Sequence, residues 1–275
     1  MLIKNSDILE QTIVLPKLSI NPHQFFNNFK FIIAHSPEEK QRAFLLRHLV
    51  FNEELNYGIG DKKNPILEKD SHDQHSILCL LQHRESGIDA GCLRVVIIDD
   101  SIKGFLQILP FEEYCGNSLT SLDFHPEKMT KNTICEVSRL AVHPLFRNKT
   151  KLLINNKDIN INEKNSNYDS KNQSIISLSL FLAATALVGL AHRRHVFAML
   201  EPRFNRLLKA SGLHFQQIGE IINYCGNRAA YYIDQKIAVE NLPKHLIPLY
   251  IHIEKELAIQ TSSEISHEKK DPPQL

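Results

Sequence analysis

Apolar and polar positions along the chain fall into blocks that predict helices covering a largely antiparallel sheet. The stretch up to Pro22 has no clear period and reads as a loosely docked N-terminal arm (residues 1–22). At Pro37 a helix is signalled: Ser36 can cap it, Pro37 suits its first turn, and Glu38 and Glu39 suit its positive end. Phe44, Leu45, Leu49 and Phe51 recur there at roughly helical spacing. Residues 58–65 read as loop. The runs 76–82 and 91–98, separated by the turn-like Ser86-Gly87, predict an antiparallel hairpin. A short helix is expected over 110–114 and a strand over 133–142, ended by His143-Pro144.

The pattern then breaks. Between Lys151 and Ser174 the residues turn to Asn, Lys, Asp and Ser, which predicts a disordered insertion (151–174). Beyond it come an apolar helix over 175–191, a strand over 195–200 and a helix over 202–210 ended by Ser211-Gly212. Two last strands flank the turn Cys225-Gly226-Asn227. After Leu257 the sequence is polar and reads as a frayed tail (258–275). One α/β (α+β) domain over 23–257 follows from this order.

Composition narrows the class. The chain has 275 residues, 43% hydrophobic and 23% charged, which is ordinary globular usage and enough for a sizeable core. A formal net charge of +1 supplies no overall field for nucleic acid. The five cysteines, Cys79, Cys92, Cys115, Cys135 and Cys225, are scattered and unpaired in spacing, as expected in a reducing, cytoplasmic compartment rather than in a disulfide framework or zinc site. Lys4, Asp7, Glu10 and Lys17 interrupt the N-terminal apolar stretch, unlike a signal peptide. The apolar run 175–191 is slightly short for a membrane span, carries Ser177, Ser179, Thr185 and Gly189, and is read as a helix buried against the sheet.

Six charged residues stand in apolar or strand-like surroundings: Arg47, Asp70, Asp73, Arg94, Glu136 and Arg139. Three acids matched by three bases suggest a polar pocket at the sheet, since an isolated buried charge costs several kcal/mol. Residues three apart on a regular strand face opposite ways, so Glu136 and Arg139 can share a pocket only across a β-bulge, expected near Val137 or Ser138. His72 and His75 interleave with the aspartates but have no thiolate neighbours or metal-ligand spacing, so no metal is expected.

Several segments carry a resemblance. Arg47-His-Leu-Val-Phe51, Leu55-Asn-Tyr57, Glu68-Lys-Asp70-Ser-His-Asp73, Gly91-Cys-Leu-Arg94 and Glu136-Val-Ser-Arg139 resemble, in order, the signature of acyl-homoserine-lactone (autoinducer) synthases. Tyr57 stands where those synthases carry tryptophan. The runs Glu201-Pro202-Arg203-Phe204, Leu207-Leu208, Gly212-Leu-His-Phe215-Gln-Gln-Ile-Gly219 and Gly226-Asn-Arg228-Ala-Ala-Tyr-Tyr-Ile233 are similar to PEP-CTERM/exosortase-associated acyltransferases, neighbours of the N-acyl amino acid synthases. The resemblance covers His35 to Asp234. It implies the acetyltransferase-like (GNAT) fold and transfer of a medium or long acyl chain from acyl carrier protein to an amino group, with no permanently bound cofactor. Val142-His-Pro144-Leu-Phe-Arg147 looks like the run into a coenzyme A pyrophosphate loop. Thr150 and Leu152, however, occupy positions where that loop wants glycine, which favours carrier-protein delivery over coenzyme A.

For such a reaction Glu136, Ser138 and Arg139 form the catalytic group, with Glu136 as general base in a direct attack without an acyl-enzyme. Asp70 and Asp73 are candidates for the acceptor's ammonium, and Arg47 or Arg94 for a carboxylate. Phe51 and Tyr57 complete the substrate-binding set. An alternative stays open: the charges staple the N-terminal helix to the sheet and only Glu136 touches substrate. Arg203, Arg206 and Lys209, three apart on a helix, together with Arg147, are candidates for docking an acidic carrier. The helix 175–191 and the stretch Phe25 to Phe31 are candidate tunnel walls, with core packing as the default. Rival readings are an autoinducer synthase using S-adenosylmethionine, a catalytically silent carrier-binding module, and a membrane-anchored protein; peripheral membrane contact is also open.

Overall fold

A computed structural model describes residues 22–60, 66–102, 104–147 and 166–268. The expected N-terminal arm, the coenzyme A-like positions Thr150 and Leu152, and the start of the insertion lie outside the described residues. The elements are α1 (Pro22–Asn28), β1 (Phe29–Ile33), α2 (Pro37–His48), β2 (Ser76–His83), β3 (Asp89–Ile97), α3 (Pro110–Cys115) and β4 (Ile134–Val142). There follow α4 (Ser166–Leu190), β5 (His195–Leu200), α5 (Pro202–Ala210), β6 (Gln216–Gln217), β7 (Ile222–Asn223), β8 (Asn227–Asp234), α6 (Gln235–Glu240) and α7 (Ile247–Glu268). One sheet runs in the order β1-β2-β3-β4-β5-β8-β6, with β7 also on β8. Every pairing is antiparallel except β4 with β5.

Period-2 alternation sorts the central strands between two layers. Cys79, Leu81, Leu93 and Val95 face the core that α4 and α7 build with Leu180, Ala183, Leu187, Leu249, Ile253 and Leu257. Leu78, Leu80 and Cys92 face α2, through Ala43, Leu46 and Val50. Gly91 lets α4 approach β3 closely: a Cβ there would lie 2.7 Å from Leu180 Cδ1 and 3.0 Å from the Ala141 carbonyl oxygen. A third cluster packs α3 against β5 and β8 through Phe111, Phe197 and Tyr232.

The predicted hairpin, the strands at 134–142 and 195–200, and the helices at 37, 110 and 202 are present. Ser36 caps α2 in a reciprocal capping box with Glu39. The fully buried positions are Ala43, Leu46 and Arg47 on that helix and Val50 in the turn after it, with Phe44 and Phe51 only partly buried beside them and Leu45 44% exposed. Arg47, charged but fully paired, occupies a core position, which turns the apolar stripe.

Two further differences have physical causes. Helix α4 begins at Ser166, inside the expected disordered insertion. Extending a helix whose apolar part is already docked avoids the nucleation cost, and no Gly or Pro intervenes. Helix α7 runs past Leu257 to Glu268, and Gln260 clasps the outer edge of β1. Its Nε2 donates to the Phe31 carbonyl (3.0 Å) and its Oε1 accepts from the Ile33 N–H (2.9 Å), so an edge that would be open is satisfied by a side chain. Phe25, Phe26, Phe29 and Phe31 are buried in the α4/α7 core and do not line the cavity described below. No described helix is long and apolar enough to cross a membrane.

Candidate functional site

Strands β4 and β5 pair in parallel only from Ile134–His195 to Glu136–Phe197. Beyond that point β4 holds to β3 and β5 holds to β8, so the two central strands separate. The wedge opens a cavity of about 750 Å³. Glu136, Ser138 and Arg139 line it from β4, and Ala198, Met199 and Leu200 from β5. Helix α4 contributes Phe181, Ala184, Thr185 and Val188, and Leu213, Phe215 and Ile233 close an apolar body.

Glu136 is 3% exposed and sits at the last paired position before the split. Pro110 opens α3 and leaves the next N–H, that of Phe111, without an intrahelical partner; it donates to Glu136 Oε2 at 2.7 Å. Burial is the largest influence on this carboxyl and pushes it up to about 7, while the Phe111 N–H, Arg94 and Arg139 pull the other way. A group half ionised at neutral pH is suited to taking a proton.

Five of the six charges, Arg47, Asp70, Asp73, Arg94 and Arg139, joined by Glu68, form one continuous network on the α2 face of the sheet, while Glu136 is bound by the Phe111 N–H. Asp70 and Asp73 are presented by a 3₁₀ turn (Ser71–His75) that they build themselves: the Asp70 Oδ1 accepts from the His72 N–H (3.0 Å), and Asp73 Oδ2 accepts from the Asp70 N–H (2.8 Å). Arg47 donates to Glu68 and, with both Nη atoms, to Asp73 (2.7 and 3.1 Å). Arg94 donates Nη1 to Asp70 (2.6 Å) and Asp73 (3.0 Å) and Nε to the Ser138 hydroxyl (3.1 Å). Arg139 donates to Glu68 (3.1 and 3.2 Å) and Asp70 (3.1 Å). Arg47 and Arg94 are 1% and 0% exposed. Burial raises the carboxyls of Asp70, Asp73 and Glu68, but the guanidiniums outweigh it and hold all three below the usual range.

The bulge falls slightly later than expected. Arg94 faces Ser138 while Cys92 faces Ala141, so the extra residue of β4 lies at Arg139–Leu140, and Arg139 has φ 53°. Without it Arg139 would point into the α4 layer; with it the side chain stays beside Ser138 and reaches Glu68. Of the expected site residues, Glu136, Ser138, Arg139, Phe51, Tyr57, Arg147, Arg203 and Arg206 line the cavity. Arg47, Asp70, Asp73 and Arg94 lie behind it, and Lys209 is exposed on α5 outside the lining. Tyr57 follows a π-helical turn (Leu49–Glu54) that succeeds α2, and its N–H donates to the Phe51 carbonyl at 2.8 Å.

Sequence reasoning missed Glu68, which is wholly buried between Arg47 and Arg139; its signal was its place in the run with Asp70 and Asp73. It also missed Tyr114, Tyr224 and Arg228. The rings of Tyr114 and Tyr224 stack 4.2 Å apart at the cavity, joining α3 to the β7–β8 turn. Burial pushes the Tyr224 hydroxyl up, so it keeps its proton. Arg228 stands over the Tyr57 ring at 5.5 Å. Burial raises the thiols of Cys79, Cys92, Cys115 and Cys135, so none is poised as a nucleophile. His72 Nε2 meets Glu113 Oε1 at 2.7 Å, and among the described residues no group of His, Cys, Asp and Glu could hold a metal.

The comparisons agree with this architecture. The family model described as "Acetyltransferase (GNAT) domain" matches residues 46–155, which include the charge network and β4. Among solved structures, FeeM, an N-acyl amino acid synthase from uncultured soil microbes, is 15% identical with a TM-score of 0.52, covering 80% of this chain and 97% of its own. The acyl-homoserine-lactone synthase LasI is 16% identical with a TM-score of 0.51, covering 76% of this chain and 93% of its own. BjaI, a coenzyme A-dependent acyl-homoserine-lactone synthase solved with S-adenosylmethionine and isopentyl-CoA, is 16% identical with a TM-score of 0.51, covering 82% of this chain and 89% of its own. No curated protein sequence matches the chain. The fold is the GNAT fold.

Proposed function

We propose that the protein is an N-acyltransferase that moves a medium or long acyl chain from a carrier thioester to the amino group of an amino acid, with Glu136 as general base. The observation that carries this reading is the Glu136 carboxylate, raised to about 7 and placed where β4 and β5 part beside the apolar cavity. In the reaction the acceptor's ammonium gives a proton to Glu136 as the amine nitrogen attacks the thioester carbonyl carbon. The carbon–sulfur bond then breaks. Tyr224, protonated and in the same cavity, is suited to give its proton to the leaving thiolate and to regain one from the nitrogen, whose second proton must leave to form the neutral amide. Glu136 returns its proton to solvent. Past Glu136 the open edge of β4 carries backbone groups that β5 no longer pairs, suitable for the oxygen of the tetrahedral intermediate.

The wedge accepts the thioester and the apolar body takes the acyl chain. Acyl carrier protein is the preferred donor over coenzyme A because Arg203 and Arg206 stand at the cavity on an exposed helix that also displays Leu207 and Lys209. The network of Arg47, Asp70, Asp73, Arg94 and Arg139 holds α2 and the 3₁₀ turn against the sheet and steadies the β4 bulge. The likeness to PEP-CTERM/exosortase-associated acyltransferases rests on the segments between Glu201 and Ile233 alone.

The test is direct. Purified protein is incubated with acyl carrier protein thioesters of graded length and either amino acids or S-adenosylmethionine, and products are read by mass spectrometry. N-acyl amino acids are expected; a lactone product would assign the autoinducer synthase reaction instead. Full turnover by Glu136→Gln would remove the general base from the mechanism.

A further inference from the structure

The cavity wall is unbalanced in charge. Arg139, Arg147, Arg203, Arg206 and Arg228 line it, against the carboxylates Glu136 and Glu201. Arg139 is neutralised from behind by Glu68 and Asp70, Arg147 pairs with Glu54, and Arg203 takes Glu201 at 2.8 Å. Arg228 differs from these. Its single ion pair among the described residues is with Glu201 Oε1 at 4.0 Å, an oxygen of the carboxylate that Arg203 already holds.

The Arg228 guanidinium is nevertheless held in place. Its Nε donates to the Cys225 carbonyl at 3.2 Å, and its Nη2 lies 3.4 Å from the Tyr57 hydroxyl. It stands over the Tyr57 ring, which is itself stacked on Phe51. The turn before it, with positive φ at Cys225 and Gly226, is tied to α3 by the stack of Tyr224 on Tyr114. Helix α3 is the element whose Phe111 N–H binds Glu136. A cation at the cavity, oriented by an aromatic ring and a carbonyl and left with only a long, shared ion pair, suits a planar anion that brings two oxygens.

We infer that Arg228, oriented by Tyr57, is the recognition site for a carboxylate on the acceptor, so that the acceptor is an amine bearing a free carboxylate. This rests on the acyl-transfer reading and deepens it. Arg47 and Arg94 are unsuited to the task because both are buried behind the wall with carboxylates already on them. Arg206 is exposed on α5 with the donor-side cations.

The experiment compares free L-amino acids with their carboxamides as acceptors, using one acyl carrier protein thioester. The unsubstituted full chain is assayed beside Arg228→Gln and Arg228→Lys, with thermal unfolding to confirm that each variant folds. Unsubstituted protein is expected to prefer acids over carboxamides in kcat/KM by at least about tenfold, the size of a charge-assisted bidentate pair. Arg228→Gln should collapse that ratio toward one, and Arg228→Lys should restore part of it. An equal rate with acids and carboxamides in the unsubstituted protein, or an undiminished preference in folded Arg228→Gln, would overturn the inference while leaving acyl transfer intact. Failure of the unsubstituted protein to acylate any amine would remove the function itself, and the inference with it.

Discussion

The backbone N–H of Phe111 donates to Glu136 Oε2 at 2.7 Å, tying the first turn of α3 to the last residue at which β4 and β5 still pair. One contact thus fixes the carboxylate's direction while burial makes it hold its proton up to about neutral pH. The consequence is a pH profile. In the ordinary protein kcat/KM should rise with pH along a limb near 7, as the carboxyl ionises, and Glu136→Gln should lose both the limb and most of the rate, on the order of 10²–10⁴-fold.

The same raised pKa has an opposite sign in stability. Folded protein binds the Glu136 proton more tightly than unfolded chain, so the acid form's contribution is complete below about 4.5 and is lost as pH climbs to about 7. Denaturant titrations at several pH values should show the unsubstituted protein losing stability relative to Glu136→Gln across that window. Parallel pH curves for the two proteins would contradict it.

Glu68 is the hinge of the charge network, accepting from both Arg47 and Arg139 with no exposed surface. Glu68→Gln should destabilise the fold by about 3–5 kcal/mol, because two buried guanidiniums lose part of their compensation. The carboxyls of Glu68, Asp70 and Asp73 are held low, so their contribution is present above their unfolded values and declines as pH falls through the folded ones. Acid titration of stability should therefore be shallower at low pH in the variant.

Gly91 marks the closest approach of α4 to the sheet. In Gly91→Ala the new methyl would press on Leu180 Cδ1 and on the fixed carbonyl of Ala141, costing about 1–3 kcal/mol. Calorimetric melting should report the loss, and an unchanged melting temperature would mean that α4 shifts freely.

At the far edge, Gln260→Leu keeps the stem but removes the two bonds to Phe31 and Ile33. A loss of about 1–3 kcal/mol is expected, together with faster hydrogen exchange at the Ile33 amide.

Local signals made much of this molecule readable. Ser36 with Glu39, Pro110, Pro202 and the Cys225-Gly226 turn declare element ends through chemistry confined to neighbouring residues. Glu136 stood out in the sequence because a carboxylate in an apolar strand needs an explanation, and the structure buries it beside the cavity. Arg228 was not, since an arginine at the start of a strand is ordinary until Tyr57 arrives from far along the chain.

What the sequence determined by itself was the order of strands and helices, the three-against-three charge balance and the need for a bulge between Glu136 and Arg139, all of which follow from spacing and sign along one chain. Only the tertiary structure decided that the bulge lies at Arg139, that Glu68 joins the network, and that Gln260 closes the edge at β1. It alone also decided that β4 and β5 part after Glu136. The reason is physical: each of these depends on which distant groups meet, and a side chain's partner, solvent access and proton affinity are properties of the assembled neighbourhood.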